Sequence, residues 1–564
     1  MHIRFTKTLL VQLTVLLVLG SIIFFIKLSS IPSGVYIDET LPAYSAFSIL
    51  KTGRDEYGKV FPLVFRFYGS YNPPLFIYLT VVSEVIFGLT TFAVRFPSAL
   101  AGMLSVFPIY FLLKDKQIVG QKQTAFISSI LFLITPWIIL HSRVGYEVSL
   151  GFLLFSVGTY FSFRGLTHSH FLKYAMLFLS LSTYAAYAER FIVPMFIVFF
   201  VLLFKKAVIQ KRHMKDLLIT IGIGLVTQMP NLWLLTTPAF FPKQNLVGSG
   251  IVISSAEKIS HFLPYPLSFT LAFIREFLSQ YGTYFSPQSL FFLPDPDLQR
   301  SIPYLSVFYS WMIVPFCIGV YVLFKNRDTI WARFIILLAL ITPIPAALTL
   351  DPFSTHRALP HLLPLFLIIS LGIDRVLVLF HKRQKTLVFI CLSFFTISLL
   401  FLWRSYFVLL PFTRAQYWGY GHEQLATYIV NHPQDHFVID QTRIKPVYSQ
   451  LAFYMKTEPR DFQKTIDPFV LANYYKNTPF DGHFTFGNID TRGIVWETDI
   501  YEEQVLVGDP LTISTKQAEE HSLTKVFEFT DHLNTSVFVG YKTNPAKKCR
   551  ISNYASEKCF IYKN

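Results

Sequence analysis

The run LLVQLTVLLVLGSIIFFIKL at residues 9–28, followed after a short break by GVYIDETLPAYSAFSILKTG at residues 34–53, decides how the chain is read. About twenty apolar residues rising 1.5 Å each cross roughly 30 Å of hydrocarbon. The second stretch opens at the water end of that crossing with two adjacent carboxylates, Asp38 and Glu39. His2, Arg4 and Lys7 precede the run and no small-residue cleavage site follows it. The sequence therefore predicts an uncleaved first helix with its basic end in the cytoplasm. A paired acid on exposed chain is usually a solvated turn or a helix N-terminus. Its place at a membrane surface, with other polar clusters at the same depth, makes this pair a candidate for chemistry.

Composition extends that reading to the rest of the chain. Of 564 residues, 52% are hydrophobic, 17% aromatic and only 15% charged, with a mean hydropathy of +0.45. Soluble domains carry about 25% charged residues, so most of this chain belongs in lipid. The net charge of +15 does not point to nucleic acid. The basic residues sit in short loops between apolar runs, and neither zinc-finger spacing nor an RNA-binding aromatic signature is present.

Ten further apolar runs lie near residues 93–113, 124–141, 148–163, 171–188, 191–204, 216–236, 303–324, 331–350, 358–380 and 386–408. Alternation from a cytoplasmic start puts every basic cluster on one side. These are Lys114, Lys116 and Lys122; Arg164 and Lys173; Lys205, Lys206, Lys211, Arg212 and Lys215; Lys325, Arg327 and Arg333; and Lys382, Arg383 and Lys385. That asymmetry predicts a polytopic α-helical membrane protein of about eleven transmembrane helices, with its C-terminal part outside. The count requires LFIYLTVVSEVIFG (75–88), short and carrying Glu84, to lie at the interface rather than to span.

Residues 1–408 are then a membrane domain. Within it, 29–92 form a first external loop with interfacial helices, and 237–302 form a large external loop with a helix near 265–282. Beyond residue 409 the composition turns polar, and short β-prone runs appear at HFVID (436–440), RGIVWE (492–497), EQVLVG (503–508) and TSVFVGYK (535–542). Residues 409–564 read as a small extracytoplasmic α/β domain. Cys317 and Cys391 lie in apolar runs and read as core residues. Cys549 and Cys559 lie in the external tail, where a disulfide is expected.

Three external junctions carry further polar residues. HSRVGYEVSL (141–150) places Arg143 and Glu147 at the spacing of one helical turn, and STYAAYAERF (182–191) carries Tyr184, Tyr187, Glu189 and Arg190. LDPFSTHRALPHLLP (350–364) carries Asp351, His356, Arg357 and His361. Singly, each arginine reads as a headgroup-snorkelling side chain. As a set they supply one cation per junction on the side that carries Asp38 and Glu39. Asp55 and Glu56, further along a polar, turn-like stretch, are weaker candidates for a reactive acid.

The order IDE (37–39), YNPPLFIYL (71–79), FAVRFPSALAGMLSVFPIYFLL (92–113), HSRVGYE (141–147), TYAAYAERFIVP (183–194) and STHRALPHLLPLFLIISLGIDRV (354–376) resembles the bacterial branch of the GT-C membrane glycosyltransferases. That branch includes protein O-mannosyltransferase-like, aminoarabinose-transferase-like and rhizobial lipopolysaccharide glycosyltransferase-like proteins. The resemblance covers roughly residues 30–410. Relatives often have a basic residue where this chain has Asn72 before Pro73-Pro74, so no cation is assumed there.

The resemblance implies transfer of a sugar from a polyprenyl-phosphate carrier to a protein, lipid or glycan acceptor on the external face. Asp38 is then the general base, with Glu39 its neighbour. Arg143, Arg190 and Arg357, with Asn72, Glu147, Tyr187 and His356, line the site for lipid phosphate and sugar, since guanidinium groups match phosphate oxygens. No cofactor is required. A divalent metal could be held by Asp38, Glu39, Glu147 or His356, although no ligand spacing compels one. A nucleotide-sugar donor is disfavoured because no Gly-rich nucleotide fold is present. The alternatives are a transporter or lipid flippase, which would place charges at the bilayer midplane or in repeats, and a non-catalytic scaffold, which would not need the acids and arginines together.

Overall fold

The computed structural model describes residues 7–67, 70–115, 117–121, 123–240, 249–443, 447–476, 483–551 and 557–562. His2, Arg4, Lys116 and Lys122, used above for orientation, lie outside them. Each of the eleven apolar runs carries helix, beginning with Lys7–Phe25 and ending with Gln384–Leu402. Among the described residues, seven helices are long and apolar enough to cross a membrane, or eight if the pair Thr124–Leu133 and Pro136–Ser142, bent by 49°, is one span. The bend sits where Thr135, ahead of a proline, takes extended angles (φ −67°, ψ 126°), as the clash with the proline ring demands. The helices Val148–Gly165, Leu172–Ser182 and Ile313–Lys325 are not among those that meet the length and hydropathy needed alone. The chain is a multi-pass membrane protein.

Helix Pro74–Phe87 has 14 residues, about 21 Å, too short to span. In the 237–302 region the helix Tyr265–Thr283 is joined by a second, Ser249–Ile259, that the sequence did not announce.

By Cα packing the chain divides into two compact units, one of Met1–Leu28, Pro73–Phe76 and Arg95–Leu409, the other of Ser29–Asn72, Ile77–Val94 and Leu410–Asn564. The first is the helical bundle. Phe163, Phe196, Phe200 and Phe204 pack on the buried ring of Phe334. On the outside, Leu225, Val226 and Met229 are exposed by 60, 68 and 66%, as expected of helices whose solvent is lipid. Cys317, expected in the core, is exposed and Cys391 half-buried. A membrane helix is apolar on every side, so an apolar run does not tell which face is inward.

The second unit holds all eight described strands: β1 (Phe65–Phe67), β2 (Ser70–Asn72), β3 (Phe437–Ile439), β4 (Phe484–Phe486), β5 (Ile489–Thr491), β6 (Val505–Gly508), β7 (Thr524–Thr530) and β8 (Ser536–Lys542). β1 and β2 pair antiparallel. The other six form one mixed sheet in the order β4-β5-β3-β6-β8-β7, with β3 parallel to both β5 and β6. RGIVWE is not a strand. The amides of Ile494 and Val495 go to the carboxylates of Asp440 and Asp499, and a short helix, Trp496–Asp499, follows. The core of this unit is shared between the 37–57 segment and the C-terminal part: Ile37, Leu41, Tyr44 and Tyr57 are buried with Leu425, Tyr448, Phe462 and Tyr474. Cys549 and Cys559 are joined in a disulfide.

Candidate functional site

In the bundle unit, the loop LPDPDLQRSI (293–302) is shaped by its own side chains. Asp295 accepts from the Asp297 amide (2.9 Å) and Asp297 from the Gln299 amide (2.9 Å), and Pro294 and Pro296 keep the stretch from becoming helix. The turns deliver Arg300 into a buried network. Its guanidinium donates to both oxygens of Asp351 at 2.5 and 3.3 Å and to Ser354 Oγ at 2.6 Å. It also lies 3.4 Å from Asp295 and 3.3 Å from Asp297.

The second loop, 349–358, is pinned just as firmly. Thr355 gives its amide and hydroxyl to Asp295 at 3.1 and 2.8 Å, its carbonyl takes the Trp137 indole N–H at 2.8 Å, and its Oγ1 lies 3.0 Å from His141 Nε2. The Ser354 amide donates to the Tyr284 hydroxyl at 2.9 Å. Arg357 donates to Asp351 at 2.9 Å and to Thr349 Oγ1 at 3.1 Å, so one carboxylate holds two guanidiniums. Their side chains differ in access, 7% exposed for Arg300 and 26% for Arg357. His356 Nδ1 lies 3.4 Å from Arg300 and 3.3 Å from Ser354 Oγ.

The charges follow from this packing. Burial pushes the Asp295 carboxyl up to about 6 despite the nearby Arg300. Burial also raises Asp351, but the Arg300 hydrogen bond and the Arg300 and Arg357 charges outweigh it and leave the group below its ordinary value. Loss of water and the two arginines hold His356 well below the usual imidazole range, so it is neutral near pH 7. The arrangement presents a fixed, partly open guanidinium beside a neutral imidazole, suited to an anionic oxygen group.

Arg143 is placed differently. It is buried and donates to the Ile23 and Ile26 carbonyls, both at 2.6 Å, while its guanidinium lies 5.1 Å from the Tyr406 and Phe407 rings. It closes the C-terminal end of the first helix, where carbonyls lack helical partners. Arg143 and Glu147 are not on one helical turn. The helix Pro136–Ser142 ends before them, and the next begins after Glu147 at Val148. Arg190 donates to the Thr183 carbonyl at 3.1 Å and stacks over Tyr187 at 4.5 Å and Phe240 at 5.3 Å. Of the bundle's candidates, His356 and Arg357 share the Arg300 network.

Asp38, Glu39 and Asn72 belong to the other unit. Asp38 and Glu39 lie in the first turn of helix Ile37–Thr52, where carboxylates favour the exposed amides and the dipole. Glu39 is fully buried and accepts from the Tyr36 amide at 3.0 Å, so it serves the helix start. Asp38 is half-exposed. Asn72 ends β2 opposite Phe65. Asp55 and Glu56, expected on a polar turn, are buried. Asp55 accepts from the Tyr57 and Lys59 amides at 3.1 and 2.7 Å and from the Tyr474 hydroxyl at 2.5 Å, and burial raises its carboxyl to about 7. Glu56 accepts from Ser45 Oγ at 2.6 Å.

The sequence reading missed Arg300 and Asp295, and named Asp351 at its junction without giving it a role. The signal was there, in two Asp-Pro steps, 295–296 and 351–352, each in a loop that also carries an arginine. Among the described residues no three His, Cys, Asp or Glu side chains converge as metal ligands.

Residues 71–234 match the model of a family described as dolichyl-phosphate-mannose-protein mannosyltransferase. No curated protein matches the sequence. Among solved structures, the Archaeoglobus fulgidus oligosaccharyltransferase tethered to an acceptor peptide aligns with a TM-score of 0.51 at 12% identity, over 96% of this chain and 74% of that one. Its apo form aligns at 0.50 and 13%, over 96% and 75%. ArnT from Cupriavidus metallidurans, in the apo state, aligns at 0.45 and 12%, over 95% and 98%. Taken together, a bundle of apolar helices, a C-terminal sheet unit, the mannosyltransferase pattern over residues 71–234 and the oligosaccharyltransferase likeness give the chain the GT-C fold of the membrane glycosyltransferases.

Proposed function

We propose that the protein transfers a sugar from a polyprenyl-phosphate-linked donor to a protein, lipid or glycan acceptor at the external face of the membrane. The observation that carries the reading is the double use of Asp351, which fixes a partly open Arg357 next to buried Arg300 and half-buried His356. A lipid phosphate leaving group needs such a fixed cation as charge develops on its bridging oxygen. The family match to a dolichyl-phosphate-mannose transferase and the archaeal structure with its tethered acceptor peptide support it.

In this reaction the acceptor oxygen loses its proton to Asp38 and bonds to the anomeric carbon. The carbon–oxygen bond to phosphate breaks and its electron pair stays on the phosphate, which Arg357 holds. His356, Glu147, Tyr187, Arg190 and Asn72 act in binding donor or acceptor, and Arg143 supports the bundle. The N-terminus is cytoplasmic, and residues 29–92 and 409–564 are external.

The test is turnover of a polyprenyl-phosphate sugar in membranes. Asp38→Asn keeps size and removes basicity, so turnover falls about 10² to 10⁴-fold while donor binding persists. Glu39→Gln keeps an oxygen for the Tyr36 amide and loses less. Near-normal turnover by Asp38→Asn removes it as the base. Unchanged envelope glycans and glycoproteins, by mass spectrometry, after deletion of the gene would sink the transferase reading itself.

A further inference from the structure

Helix Ile37–Thr52 carries Asp38 in its first turn, and the Glu39 carboxylate on the Tyr36 amide caps its start, but that local bond does not set the direction of the helix within the unit. Its N-cap is Tyr36 rather than Ser, Thr, Asp or Asn, and it holds an internal proline, Pro42, the residue that most weakens helices. What holds it comes from the C-terminal part of the same unit, hundreds of residues later. Gly34 and Gly419, with φ of +92° and +71°, cross in backbone contact. A Cβ on Gly34 would lie 2.6 Å from the Trp418 carbonyl oxygen, and one on Gly419 2.7 Å from the Val35 carbonyl oxygen. Only glycine tolerates both the angle and the approach. The buried side chain of Gln450 then donates to that Val35 carbonyl at 3.0 Å. One turn on, Thr40 Oγ1 and Ser449 Oγ, both buried, are 3.0 Å apart. Tyr44 donates to the Thr457 carbonyl at 3.0 Å. At the far end Gln463 donates to Ser48 Oγ, Thr52 Oγ1 and the Asp55 carbonyl at 3.0, 3.1 and 2.8 Å.

We propose that Gln450, reaching Val35 from the C-terminal part of the unit, is a positioning residue for the Asp38 carboxylate, with Ser449 its partner one turn on. The inference rests on the reading of Asp38 as the general base. The chain enters the helix through Val35 and Tyr36, so the Val35 peptide sets the start of the helix axis. Asp38 leaves the axis three residues later and moves with it. The C-terminal part thereby contributes to the catalytic apparatus. Gln463 grips the opposite end, more than three turns away, and bears on stability rather than on the direction of Asp38.

Gln450→Leu keeps the side-chain bulk and removes the donor. Displacement of a reacting group by about 1 Å costs up to 10²-fold in rate, so we expect kcat per folded protein to fall 10-fold or more with KM for the lipid-linked donor unchanged. Ser449→Ala, a smaller change, lowers kcat in the same direction by a smaller factor and serves where Gln450→Leu fails to fold. Gln463→Leu lowers the melting temperature and leaves kcat per folded molecule as it was. The decisive arm is the double variant: because Gln450 acts through Asp38, Gln450→Leu has no further effect on the residual turnover of Asp38→Asn. Equal losses with and without Asp38, or full kcat in both Gln450→Leu and Ser449→Ala, overturn the inference. Full turnover by Asp38→Asn alone overturns instead the assignment of the base.

Discussion

Asp351→Asn tests the charge network directly. In the native protein the carboxylate takes two bonds from Arg300, at 2.5 and 3.3 Å, and one from Arg357 at 2.9 Å. Removing one member of a buried ion pair costs about 3–5 kcal/mol when the other is left unpaired. Arg300 is not wholly abandoned, since Asp295 and Asp297 remain at 3.4 and 3.3 Å. We therefore expect a loss nearer about 2–3 kcal/mol, below that range. Arg357 is a quarter exposed, so water replaces its lost partner at little cost in stability. Its direction is another matter, because only Thr349 still holds it among the bonds described above, and the like charge of Arg300 is no longer neutralised between them. Donor affinity should fall about 10-fold, worth about 1.4 kcal/mol. The sign with pH is fixed as well. The folded value of Asp351 is depressed, so its stabilisation is present above the unfolded value of about 3.9 and disappears as pH falls through the folded one. The gap in melting temperature between wild type and variant should close in acid. Thermal melts in detergent from pH 7 downward, with donor binding by titration, read both effects. A variant with native melting and native donor affinity at pH 7, or a gap that widens in acid, would refute the account.

The other predictions are shorter. A Cβ on Gly372 would lie 1.7 Å from the Pro315 carbonyl oxygen and one on Gly319 1.8 Å from that of Ile368, so Gly372→Ala should force helices Ile313–Lys325 and Leu362–Leu379 apart and cost about 3 kcal/mol or more. Native-like melting of that variant would show that the helices do not meet at their backbones. Reducing the Cys549–Cys559 bond, with a sequence separation of 10, should cost about 2–3 kcal/mol in the second unit; equal melting with and without reductant, after peptide mapping has located the bond, contradicts this. Single cysteines labelled by an impermeant reagent in intact cells should react in the 409–564 segment and not at 205–215, and the reverse pattern inverts the topology.

What the sequence made legible followed from solvent. Long apolar runs must be helical in lipid because no water is there to satisfy the backbone, and all eleven runs carry helix. The segment 75–88, judged too short to span, forms a 14-residue helix. What stayed hidden was the partner of each polar group. Arg143 and Arg357 look alike in sequence, each at a helix end with a serine or threonine nearby, yet one has two terminal nitrogens on backbone carbonyls of the first helix and the other shares a carboxylate with Arg300. Arg300 and Asp351 are 51 residues apart, a separation no local pattern reports. The same holds for Asp55 and Glu56, which look like a solvated turn and are in fact buried against residues such as Tyr474, 419 positions on. RGIVWE has β-prone side chains but lost its amides to two carboxylates.

The hidden part is also the part that matters chemically, and for a physical reason. A charge in a loop of a membrane protein can be left to water or drawn into the structure, and only the second choice fixes its position and shifts its affinity for protons. In the bundle, the loops 293–302 and 349–358 draw charge inward, and each carries an Asp-Pro step whose carboxylate binds a neighbour's amide or guanidinium. The loop 205–215 carries five lysines and arginines and no acid before Asp216 at its end, the composition by which membrane proteins orient in the bilayer. A mixed-charge loop interrupted by proline at the end of an apolar run is therefore the better sign of a built site than a lone cation, and by that sign Arg300 outranks Arg143.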